Sequence, residues 1–115
     1  MPWRIGERVS HIRAVLFEEG GAWSAQFLDY DIAAQAKTLL DLQDEIARVL
    51  AVHVAPSLQM GREPFAGIKQ APRKFWDLFE GGLRLDSRPV LFSLEKGPPL
   101  PPIRPELRIA RLPAA

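Results

Sequence analysis

The residues of this chain best suited to chemistry are its carboxylates, which fall in two groups: Glu18-Glu19, and Asp29 with Asp31 on either side of Tyr30. Paired carboxylates can ligate a divalent cation through oxygen or divide acid and base roles in hydrolysis. On that chemistry, Glu18, Asp29 and Asp31 would form a hydrolytic metal site. Acidic residues are also common in exposed turns, and no further carboxylate or histidine stands at a spacing typical of a nuclease centre. The same exposed charge suits contact with a basic protein surface. Glu18, Glu19, Asp29, Tyr30 and Asp31 are therefore read as partner-binding residues.

A second group is basic and aromatic. Lys69, Arg73 and Lys74 precede or adjoin Phe75 and Trp76. Cations for phosphates beside a ring for base stacking make Lys69, Arg73, Lys74 and Trp76 a candidate RNA- or DNA-binding patch. The plainer reading is a solvated helix start. His53 falls on the apolar stripe of a predicted helix, as a partly buried imidazole would. None of the serines occupies a nucleophile elbow, and Gly20-Gly21 and Gly81-Gly82 lack the lysine and spacing of a phosphate loop. No catalytic residue, metal site or cofactor is expected.

Composition narrows the classes further. The chain has 115 residues, 47% apolar, enough for one domain with a small core. Its formal charge is +1, so no global field favours nucleic acid or an acidic membrane. Cysteine is absent, which removes disulfides, thiolate nucleophiles and Cys-type zinc sites. No apolar run approaches the roughly 20 residues that span a bilayer. The first residues mix charges without the apolar stretch of a signal peptide. A cytoplasmic protein without a membrane segment is the expectation.

These residues must be positioned by a short series of elements. Ile12 to Phe17 and Ala22 to Leu28 read as two strands joined by Glu18-Glu19-Gly20-Gly21, whose glycines suit a tight turn. The first strand has apolar residues on both sides, which predicts cover on both faces. Ile32 to Ala36 is a short third strand of poor propensity. Thr38 then caps a helix whose stripe is Leu39, Leu42, Ile46, Val49, Leu50 and His53. Asp44 and Arg48 are spaced as an ion pair, and Pro56 is expected to stop or kink the helix near His53. A second helix runs from Pro72 to Gly81-Gly82. Val90 to Phe92 is a possible strand, Pro98 to Pro102 a polyproline segment, and Leu107 to Leu112 a last strand at a sheet edge.

The predicted fold class is α+β: a small antiparallel sheet of about three to four strands packed on one main amphipathic helix, with a short second helix and a C-terminal strand. The single domain divides into a regular core, about residues 9–60, and an irregular proline-rich extension, about 61–115.

The strand Ile12–Phe17, the acidic Gly-containing turn, the strand ending in Leu28-Asp29-Tyr30, and Gln35-Ala36-Lys37-Thr38-Leu39 opening the helix together resemble the N-terminal domain of HicB-like antitoxins, over about residues 12–54. The resemblance implies a ββ(β)α core related to a reduced ribonuclease H or double-stranded-RNA-binding shape, without the ribonuclease's catalytic carboxylates. It also implies a homodimer or higher homo-oligomer that neutralises a small HicA-type mRNA-cleaving toxin. Residues 55–115 lack two adjacent helices with a basic recognition helix, so no DNA-binding module is expected.

Overall fold

Gly20 and Gly21 both lie at positive φ, 62° and 80°, the geometry of a two-residue hairpin turn whose twist matches its strands. They join β1 (Arg13–Glu19) to β2 (Ala22–Phe27) in antiparallel register, with Glu19 opposite Ala22 and Ala14 opposite Phe27. The computed structural model describes residues 12–87, 89–90 and 103–111. β3 (Ala33–Ala36) pairs antiparallel with β2. Its alanines form a strand despite weak propensity, because Ala34 is buried beneath the helix and its small side chain lets that helix approach.

α1 (Leu39–Gln59) is capped by Thr38, whose hydroxyl accepts the Asp41 N–H at 3.0 Å. Leu42, Ile46, Leu50 and Val54 are its buried residues, pressed on Ala14, Leu16, Ala25, Phe27 and Ala34 of the sheet. Leu39 and Val49 pack at the margin of this core. Of the two outcomes expected at Pro56, a stop or a kink, the stop does not occur. Pro56 sits in the last turn, where the Ser57 hydroxyl donates to the His53 carbonyl at 3.0 Å. The end comes at Gly61 (φ 69°). There the Gly61 N–H reaches the Leu58 carbonyl and the Arg62 N–H the Ser57 carbonyl, the paired bonds of a Schellman cap. Arg48 takes Glu45 at 2.7 Å rather than the expected Asp44, since three-residue spacing also places side chains together.

α2 (Arg73–Glu80) follows Pro72, as expected, and leads through Gly81-Gly82 into β4 (Leu83–Leu85). β5 (Glu106–Ile109) completes a five-stranded sheet in the order β3-β2-β1-β5-β4. Three expectations change here. The sheet has five strands rather than about three to four, because Leu83–Leu85 adds one. The sheet is mixed, because β5 runs parallel to β1, with Ala14 opposite Leu107 and Leu16 opposite Ile109. And β5 is interior rather than an edge, since β4 pairs on its other side. Leu107 is buried with Ala14 against α1. Val90 makes only an isolated bridge to Ile103. Residues 91–92, the polyproline segment and Leu112 lie outside the described residues.

The α+β architecture therefore stands, and among the described residues one helix lies on each face of the sheet. Val15, Leu28, Ala71, Phe79 and Ala110 form the second core, under α2. This is the second cover that the two-sided apolar character of β1 demanded. Gly82 lies where α2 turns onto β5. A Cβ there would stand 2.9 Å from the Ile109 carbonyl oxygen and 3.1 Å from the Arg108 Cβ. Gly82→Ala is expected to cost about 1–3 kcal/mol by overpacking against a backbone that has little room to yield. Urea unfolding of the purified variant measures it.

Candidate functional site

The hairpin separates the two acidic groups. Glu18 and Glu19 are exposed at the far end of β1. Asp29 lies at its start, accepting the Arg13 backbone N–H at 2.7 Å and a guanidinium N–H at 2.6 Å. Five residues of strand put the groups roughly 17 Å apart, so Glu18, Asp29 and Asp31 do not converge as a metal site. Among the described residues no cluster of three or more His, Asp or Glu side chains is placed to hold a metal ion.

Three of the five residues read as partner-binding have internal work. Asp29 anchors Arg13, and its hydrogen bond raises the Arg13 pKa further above the ordinary guanidinium value, keeping the cation charged. Asp31 accepts from the Gln26 amide at 2.9 Å, and its backbone N–H donates to the Lys69 carbonyl at 2.7 Å. Tyr30 stacks on Phe65 with ring centroids 4.3 Å apart, and His53 lies against the same Phe65 ring at 5.6 Å. Glu18, Glu19 and Asp31 are the exposed members, and Glu18 and Glu19 stand together at the hairpin turn.

The basic group is also divided. Arg73 is exposed and pairs with Asp77 at 3.5 Å. Trp76 has the Arg13 guanidinium 4.6 Å from its ring centre. Lys69 stands in the loop before α2, and Lys74 lies on the other flank of the helix, against Phe75. Asp77 and Glu80 on the same helix offset Arg73 and Lys74. The arrangement is a mixed-charge helix surface, with Trp76 already stacked on a cation.

What the chain does build is a groove. α2 packs against β1 and leaves the β2–β3 half of that sheet face open, enclosing about 580 Å³. Ser24, Gln26, Ala33 and Gln35 form the floor. Phe17, Phe75 and Leu78 make an apolar wall with Lys74 on its rim, and Glu18-Glu19 close one end. The Gln35 amide donates to Ser24 Oγ at 3.2 Å, and Phe17 and Phe75 stack at 6.1 Å. A polar floor beside an aromatic wall offers both hydrogen bonding and apolar contact to another surface.

Two arginines fix the wall. Arg108, on β5, lies 4.3 Å from the Phe79 ring centre and donates to the Phe79 carbonyl at 3.2 Å, holding the C-terminal end of α2 where a cation is favoured. Arg13 does the corresponding work at Trp76. Of the groove residues, Glu18, Glu19 and Lys74 were candidates from sequence, whereas Phe17, Ser24, Gln26, Gln35 and Leu78 were not. Ser24 and Gln26 alternate with apolar residues in β2, and a polar row opposite the helix-facing row was the available signal for a partly open face.

No protein-family model matches the chain, and neither a curated protein nor a solved structure matches it.

Proposed function

We propose that this chain is a non-catalytic, HicB-like interaction protein that binds and masks a small RNA-cleaving partner of the HicA type. On this reading it acts in the cytoplasm, as a homodimer or higher homo-oligomer. The supporting observation is the groove beside α2: an aromatic wall and polar floor closed at one end by the exposed Glu18-Glu19 turn. The strand–strand–strand–helix order of β1, β2, β3 and α1 also supports it. The partner's surface is then basic around a small apolar contact. The acidic turn steers it, and Phe17, Phe75 and Leu78 supply the buried area.

Coexpression with the product of an adjacent small open reading frame, followed by copurification and titration calorimetry, tests this reading. The E18K/E19K double variant is expected to weaken binding about tenfold, ~1.4 kcal/mol, with a shallower salt dependence. Its urea unfolding should stay within about 0.5 kcal/mol of the parent, because both side chains are solvent-facing. Failure to bind any such product defeats the proposal. Salt-sensitive RNA binding lost on reversing Lys69, Arg73 and Lys74 would instead favour the nucleic-acid reading.

A further inference from the structure

The flank of α2 away from the groove carries a pocket of its own. Arg73, Trp76 and Glu80 are three and four residues apart, so they share one face of the helix. With Gln70 and Ala71 they line an open space of about 510 Å³, inside the range of roughly 300–1,000 Å³ typical of small-ligand sites. Arg13 is no part of this lining. Its guanidinium, held by Asp29 and 4.6 Å from the Trp76 ring centre, backs the indole and leaves the pocket side of the ring free. The charges at either end run against the helix dipole. Arg73 stands in the first turn with no acidic residue beside it there, and Glu80 is the last residue, where a cation is favoured. Helix stability therefore does not account for this order of charges. The Arg73–Asp77 pair, at 3.5 Å, is exposed and weak enough for the guanidinium to exchange partners. Among the described residues no donor engages the Glu80 carboxylate.

We infer that this pocket binds a single guanine nucleotide carrying a 5′ phosphate. The base stacks on the free side of Trp76, Arg73 takes the phosphate, and Glu80 accepts the base's N1–H and N2–H. The spacing fits. Arg73 and Glu80 are seven residues apart, about 10 Å along the axis, which is the reach of one extended nucleotide with Trp76 between them. Glu80 selects the base. Guanine alone among the common bases sets two donors side by side on its pairing edge, which a carboxylate accepts in parallel. Adenine and cytosine set a donor beside an acceptor, and uracil sets its donor between acceptors. The pocket shares no residue with the groove, so this inference stands apart from the partner proposed for that face.

Titration calorimetry of the full chain with guanosine and adenosine 5′-monophosphates is the test. The parent is expected to bind the guanine nucleotide about tenfold more tightly, the discrimination of one bidentate base contact. Glu80→Gln should bring the two affinities together by removing one of the paired acceptors. Arg73→Gln should weaken both nucleotides about tenfold and leave guanosine, which lacks the phosphate, unaffected. Both side chains are exposed, so urea unfolding of either variant should match the parent. A 5′-phosphorylated trinucleotide beginning with guanine separates the two sources of this ligand. Tighter binding than the monophosphate assigns an RNA 5′ end, and weaker binding a free nucleotide. Equal binding of the two monophosphates by the parent, binding of neither, or an undiminished guanine preference in Glu80→Gln overturns the inference. Dependence on guanine and on Glu80 also separates this pocket from a strand held over Lys69, Arg73 and Lys74.

Discussion

Phe65→Ala is expected to destabilise the protein by about 3–5 kcal/mol, and Phe65→Gly by about 1 kcal/mol less. The order is the reverse of the usual one, in which glycine is worse than alanine. Phe65 is 5% exposed and holds a φ of 63°, a left-handed conformation that is an outlier for a bulky residue. Its ring lies between Tyr30, just after the second strand, and His53 of α1. Removing the ring deletes this contact between the loop, the sheet end and the helix. Alanine keeps the unfavourable conformation, whereas glycine relieves it. Urea unfolding of the two variants decides the matter. A glycine variant less stable than the alanine one would show that this backbone conformation is not strained.

Leu50→Ala should be nearly as damaging, at about 2–5 kcal/mol. Leu50 is 1% exposed and is one of the four buried residues of α1. The loss combines the transfer free energy of the deleted carbons with the cavity left between helix and sheet. Against a total stability of about 5–15 kcal/mol for a domain, this leaves little margin. Leu40→Ala is the internal control. Leu40 is 68% exposed on the same helix, so its truncation should change stability by no more than about 0.5 kcal/mol. Equal costs for the two substitutions would mean that the helix does not lie on the sheet through its Leu42–Val54 stripe.

The parts legible from sequence were those set by local physics. Gly20-Gly21 dictated the hairpin, Thr38 dictated the helix start, and the spacing of Leu42, Ile46 and Leu50 dictated the buried face. Pro72 and Gly81 bracketed α2 equally well. What escaped was set by pairing over long separations. Nothing in Glu106–Ile109 itself reveals that it lies parallel to β1, because strand alternation is the same in either direction and at an edge or in the interior. The continuation of α1 past Pro56 also depended on context, since a proline in the final turn can be tolerated where the following residues cap the helix.

The site was legible only in fragments. Exposed turn carboxylates were recognisable at Glu18 and Glu19, but the tie of Asp29 to Arg13 and of Asp31 to Gln26 required the strands to be brought together. Arg13 and Arg108 read as ordinary strand charges until each is seen beside an α2 ring, where they position the helix that walls the groove. Those contacts explain how a sheet face carrying two arginines is half covered by an aromatic helix and half left open.

The measurement that bears most directly on the proposed role is RNA cleavage by the adjacent small partner, titrated with the full chain. Cleavage is expected to fall to background near one equivalent of chain, and E18K/E19K to require a severalfold excess to do the same. Undiminished cleavage in the presence of a large excess of folded parent protein would contradict it.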